Sequence, residues 1–119
     1  MDRGGKMKDL ANVLKACSDK NRIRILKLLE KKKLCVCEIA FVLDITQPSV
    51  SRHLKKLKKA GLIEAEQDSF WTNYILKSKN SYASNILFLM KKWLKDNDII
   101  KKDILKLQKA NRVKLCCKK

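Results

Sequence analysis

The stretch from Gln47 to Lys59 constrains this chain more than any other. Apart from Pro48, its apolar residues are Val50, Leu54 and Leu57, spaced by four and three. At a helical period these fall on one narrow stripe, and the rest of the cylinder is polar and basic. Thr46 is a good N-cap before it, Pro48 fits the first turn, and Gly61 suits the position past its end. Such a helix cannot be central to a core; it must lie along one, with most of its surface in water. A helix that enters the major groove has this form, with short donors and acceptors near its start for base edges and cations for phosphates. Gln47, Ser49 and Ser51 suit base edges, Arg52 suits either task, and Lys55, Lys56 and Lys59 suit phosphates. His53, the single histidine, lies on the same helix and is expected to be a DNA or helix-surface contact. The competing reading is an ordinary amphipathic helix with a solvated lysine face.

The flanking segments weigh against that reading. A short helix is expected over Cys37 to Leu43, with Ile39, Val42 and Leu43 apolar, and Asp44-Ile45-Thr46 is the turn between the two helices. Two short helices joined tightly, the second with a thin apolar stripe, form a helix-turn-helix. Upstream, Met7 to Ala16 reads as a helix through Leu10, Val13 and Leu14, and Ser18-Asp19 as a stop and a new N-cap. Asn21 to Lys33 follows, with Ile23, Ile25, Leu26, Leu28 and Leu29 on one face and Arg22, Arg24, Lys27 and Lys31 on the other. Downstream, Leu62 to Glu66 and Trp71 to Leu76 read as strands of a hairpin around Gln67-Asp68-Ser69. The helical pattern returns at Ser81 with Ile86, Leu87, Leu89, Met90, Trp93 and Leu94, breaks at Asp96-Asn97-Asp98, and resumes over Ile99 to Leu115. The expected fold is mainly α with a small β-hairpin: a winged helix-turn-helix DNA-binding domain over 1–79 and a C-terminal helical dimerisation segment with a basic, cysteine-containing tail over 80–119. At 119 residues these form one compact domain overall.

Charge points the same way. Lys and Arg number 29 against 12 Asp and Glu, a net +17, and a surface this basic attracts polyanions and releases their counterions. No apolar run reaches membrane-spanning length, and Met1 to Lys6 lacks a signal-type apolar stretch, so a cytoplasmic location and no membrane partner are expected. In that reducing setting Cys17, Cys35, Cys37, Cys116 and Cys117 are not expected to be structural disulfides. There is no Gly-rich phosphate loop, and the one histidine sits on the reading helix, so no enzyme is expected.

Three motifs in order carry a resemblance. Cys17-Ser18-Asp19-Lys20-Asn21-Arg22-Ile23-Arg24-Ile25-Leu26 resembles the opening signature of the arsenic-repressor (ArsR/SmtB) family. Leu34-Cys35-Val36-Cys37-Glu38-Ile39-Ala40 is similar to its metal box, and Gln47-Pro48-Ser49-Val50-Ser51-Arg52-His53-Leu54 through Gly61-Leu62-Ile63 to its recognition helix and lead-in to the wing. The resemblance implies a homodimer that represses by binding operator DNA and lets go when an inducer binds. One departure is the hairpin: relatives usually carry arginine and glycine at its tip, whereas this chain has Glu64, Glu66 and Asp68 with Phe70 and Trp71 beyond. Acids near phosphates are repelled, though Lys77 and Lys79 could compensate.

Cys35 and Cys37 stand two apart. In extended or first-turn backbone both project to one side and can meet one ion, whereas in a regular helix they diverge by about 200°. Ion binding there is expected to distort the start of the helix that supports the DNA reader, which is the differential a switch requires. Thiolates select soft ions: arsenic(III), antimony(III), cadmium, lead, zinc or copper(I). Glu38 is read as a solvated helix-start charge rather than a ligand. The alternative is that both cysteines are small buried hydrophobes. A third cysteine found in one family arrangement is replaced here by Ala40, so Cys116 and Cys117 are candidates to complete the site, or to act as a metalloid or redox site themselves. Cys17 is read as core. Two rivals stay open: a thiol-based redox or persulfide-sensing repressor of the same fold, and a constitutive DNA-binding architectural protein.

Overall fold

The computed structural model describes residues 6–110. Its elements run α1 (Met7–Ala16), α2 (Lys20–Leu29), α3 (Val36–Leu43), α4 (Gln47–Lys59), β1 (Ile63–Asp68), β2 (Trp71–Leu76), α5 (Ser81–Trp93) and α6 (Asp98–Leu107). This is the expected winged helix-turn-helix, with helices on both sides of an antiparallel hairpin.

Each boundary has a local cause. Asp19 caps α2 by accepting from the Arg22 N–H at 3.0 Å, Asn80 caps α5 through Ala83, and Asn97 caps α6 through Ile100. Between α3 and α4 the chain reverses at Asp44, which takes the left-handed conformation at φ 57°. A short polar side chain tolerates that region better than a bulky one. Gly61 ends α4 at φ +82°, a conformation that favours glycine, and a Cβ there would also crowd Lys79 Cβ at 3.0 Å.

The core gathers one face from every helix. Ile25, Leu26 and Leu28 of α2, Ile39 of α3, Val50, Leu54 and Leu57 of α4, and Leu62 and Ile63 at the hairpin entry are fully buried. The narrow stripe of α4 thus lies on the core, and its remaining faces stay in water. Cys17 packs partly buried against the same core, as expected, and burial pushes its thiol pKa up.

Several details differ from the sequence expectation. The α2 helix stops at Leu29 rather than running to Lys33, because the chain then extends and Leu34 pairs with Tyr74 of β2, N–H to O in both directions at 3.2 and 2.8 Å. Lys27 is buried, its ammonium held by Glu30 at 2.8 Å. The hairpin turn falls at Ser69-Phe70, since Asp68 and Trp71 still pair. Ser69 takes φ +59°, the positive corner that matches strand twist in a two-residue turn. Within the expected α5 band, Met90 belongs to the core while Trp93 is exposed. The last helix ends at Leu107; positions 111–115 of the expected stretch lie outside the described residues.

Candidate nucleic-acid interface and cysteine box

The α4 helix begins on a side-chain cap. Thr46 Oγ1 accepts from the Ser49 N–H at 3.2 Å and donates to Ser49 Oγ at 3.0 Å, and Arg52 donates to the same Ser49 oxygen at 3.1 Å. Gln47, Ser51, Arg52, Lys55, Lys56 and Lys59 are exposed, and Ser49 and His53 are half-buried. Seven of these eight expected contacts therefore line the outer surface of one helix or its first turn; His53 faces inward. Arg22 Nη1 lies 3.2 Å from His53 Nδ1. A guanidinium can only donate, so Nδ1 accepts and the ring is neutral with its proton on Nε2. Partial burial holds the His53 pKa below its ordinary value; Asp19 opposes this, and Arg22, Arg52 and Lys56 reinforce it.

Arg22 was not among the residues expected to shape the site. Its Nε donates to the Ala16 carbonyl at 2.8 Å and its Nη2 to the Lys15 carbonyl at 3.3 Å, so one side chain ties the end of α1 to the reading helix. Its position on the polar face of α2 gave no signal of that reach.

The wing keeps the acidic character read from the sequence, partly neutralised. Glu64 pairs with Lys79 at 2.9 Å and Glu66 with Lys33 at 3.5 Å, while Asp68 is exposed and Phe70 stands bare at the tip. The hydrogen bond from Lys79 holds the Glu64 carboxyl below the usual range. Lys79 is thus occupied by an acid of the wing itself.

At the cysteine box, Cys35 is the extended N-cap of α3 and is buried. Its backbone N–H donates to Glu38 Oε1 at 3.0 Å, one half of a capping box. Glu38 is therefore buried and capping, not a solvated charge. Contrary to the expectation that the cysteines stay reduced, Cys37, the second residue of α3, is disulfide-bonded, whereas Cys17 and Cys35 keep their thiols. Among the described residues no group of three or more His, Cys, Asp or Glu side chains is placed to hold a metal ion. The box supplies at most two sulfurs, and Glu38 is committed to the helix start. Cys116 and Cys117 lie outside the described residues.

A buried helical scaffold presenting one polar, basic helix, followed by a hairpin, defines a winged helix-turn-helix transcription regulator that binds DNA. Residues 19–65 match the family described as bacterial regulatory protein, arsR family. The chain belongs to this family. It is 42% identical over 72 residues to an uncharacterized HTH-type transcriptional regulator of Methanocaldococcus jannaschii, MJ1325, covering 60% of this chain and 81% of that one. It is 35% identical over 77 residues to the arsenic resistance transcriptional regulator ArsR1 of Pseudomonas putida, covering 61% and 60%. To the cadmium resistance transcriptional regulatory protein CadC of Listeria innocua it is 34% identical over 70 residues, covering 58% and 59%. The chain thus spans about three fifths of the length of the latter two relatives. In fold it is similar to the homodimeric winged helix-turn-helix domain of Mb0332 from Mycobacterium bovis, with a TM-score of 0.65 and 24% identity over 76% of this chain and 82% of that one. No helix among the described residues is long and apolar enough to cross a membrane.

Proposed function

We propose that this chain is a cytoplasmic, dimeric repressor that reads operator DNA with α4 and is released when a soft metal or metalloid binds cysteine thiolates. The observation that carries the DNA half is the α4 helix itself. Val50, Leu54 and Leu57 are buried, and apart from Pro48 every outward position is a polar or cationic side chain. Gln47, Ser49, Ser51 and Arg52 take base edges, Lys55, Lys56 and Lys59 take phosphates, and His53 offers its Nε2–H. A dimer would set two such helices about 34 Å apart, one turn of DNA. Exposed apolar side chains on α1 (Met7, Leu14) and α5 (Phe88, Trp93) are what a partner copy would cover. The homodimeric Mycobacterium bovis domain supports this assembly.

For the inducer, the names of the arsenic and cadmium regulators among the relatives support an ion such as arsenic(III), antimony(III), cadmium, lead or zinc. Cys35 and Cys37 are the proposed ligands, completed by Cys116 or Cys117. Withdrawing the Cys35 sulfur from the start of α3 would disturb the helix on which α4 rests. A redox reading of the same repressor is favoured by one observation, the disulfide at Cys37. Oxidation and ion binding would then compete for one sulfur.

The test is operator binding by the full chain, reduced and oxidised, across a series of soft ions. Ser51→Ala or Arg52→Ala should cost about 1–3 kcal/mol at the operator. Loss of operator binding on adding an ion to reduced protein, abolished by Cys35→Ser with Cys37→Ser, supports ion sensing. Loss on oxidation alone supports the redox reading. Unchanged DNA binding under every ion and oxidant would leave a constitutive DNA-binding protein.

A further inference from the structure

The end of α1 and the C-terminal half of α4 enclose a cleft of about 410 Å³ that the base-reading positions do not use. Asn12, Lys15, Arg22, Lys56 and Lys59 line it, with no acidic side chain among the described residues at its walls. Arg22 is spent inside the protein, on the carbonyls of Lys15 and Ala16 and on His53. Lys15, Lys56 and Lys59 are exposed and form no ion pair among the described residues. Three ammonium groups around one concavity set up a positive potential that favours an anion. The cleft is open and its lysines are solvated, so a small anion gains little there over water. A polyanion gains more, because each neutralised phosphate releases condensed counterions.

We propose that this cleft seats a backbone phosphate of the operator, beyond the base pairs that α4 reads. Lys15 and Lys59 are its cations, Asn12 supplies a neutral donor, and Arg22 is a positioning residue that holds α1 against α4. The inference rests on α4 being the DNA-reading helix, and adds α1 to the DNA contact.

The experiment measures operator affinity of the full chain against salt for wild type, Lys15→Ala, and Lys15→Ala with Lys59→Ala. Lys102→Ala on α6, an exposed lysine outside the cleft, is the control. Between about 50 and 200 mM salt, the loss of affinity should shrink about 3.5-fold for the double variant, one phosphate contact, and by a smaller factor for the single one. The ratio of operator to scrambled-sequence affinity should not move, because phosphate contacts carry no sequence information. Ethylation interference should lose one phosphate in the double variant. A wild-type salt slope in Lys15→Ala overturns the proposal while leaving α4 as the reader. An equal slope change in Lys102→Ala overturns it too, since bulk charge would then explain the effect. Millimolar inorganic phosphate at constant ionic strength is the second probe. If it displaces DNA from wild type but not from Lys15→Ala, the cleft is a small-anion site and the proposal is wrong. Wild type that binds no DNA overturns both the proposal and the reading beneath it.

Discussion

Arg22 of α2 and His53 of α4 meet at 3.2 Å, guanidinium to ring nitrogen, and the contact exists only while the ring is neutral. The folded state lowers the His53 pKa, chiefly through burial. A group whose folded pKa is depressed contributes stability that is present above the unfolded value, about 6.5, and lost as pH falls through the folded one. Stability should therefore be flat above about pH 6.5 and decline below it. His53→Gln offers an amide oxygen to Arg22 without titrating, and should remove that acid limb. Urea unfolding of both proteins across pH checks this; identical acid limbs would refute it.

Arg24 and Asp103 lock α6 to α2 through two hydrogen bonds, Nε to Oδ2 at 2.8 Å and Nη2 to Oδ1 at 2.9 Å. Asp103 is buried and Arg24 partly so. Removing one partner of such a pair strands the other, but the remaining exposure of Arg24 and its bond to Asn21 soften the loss. Asp103→Ala should cost about 2–3 kcal/mol, read as a lower urea midpoint at unchanged slope. A loss below about 0.5 kcal/mol would mean that solvent already screens the pair.

Cys35→Ser should be tolerated. Serine is a strong N-cap, and its hydroxyl can accept from the Glu38 N–H at the position the sulfur holds. Unfolding free energy should change by no more than about 1 kcal/mol, whereas Glu38→Ala, which also leaves the Cys35 N–H without its acceptor, should cost about 1–2 kcal/mol. Thermal unfolding of the two variants decides; the reverse order would mean that the box is not what holds the start of α3.

On the wing, Glu66 and Asp68 are exposed acids beside a bare Phe70. Like-sign repulsion from phosphates acts over roughly a Debye length, about 10 Å at 0.1 M salt. Glu66→Gln with Asp68→Asn should raise affinity for operator and scrambled DNA alike, by less than about tenfold, with the gain fading at high salt. Affinities unchanged at low salt would place the wing far from the duplex.

Much of this architecture was legible in the chain, for definite reasons. The limits of α4 follow from Thr46, Pro48 and Gly61, each of which has one strong local preference. Its outward chemistry follows from the spacing of Val50, Leu54 and Leu57. Where the structure departs from the sequence reading, a particular side-chain or strand partner is responsible. The end of α2 is set by the pairing of Leu34 with Tyr74, forty residues away and unmarked by any Gly or Pro. The burial of Lys27 goes with its ion pair to Glu30, and Glu38 turns inward to accept from the Cys35 N–H, each three residues from its partner. The reach of Arg22 to Ala16, Lys15 and His53 is likewise a property of three helices together. The state of Cys37 could not be read from its spacing to Cys35, because it depends on a sulfur elsewhere.

The position of Cys35 at the head of α3 has a last consequence. A sulfur that both starts a helix and serves as a ligand cannot do the two jobs equally well at once. If an ion captured there loosens the helix pair and weakens DNA binding by some factor, thermodynamic reciprocity requires bound DNA to weaken ion capture by the same factor. Protein seated on its operator would then be a duller sensor than protein free in solution. The dose of ion needed for release would rise with the abundance of operator sites, and the threshold of response would belong to the protein and its DNA jointly.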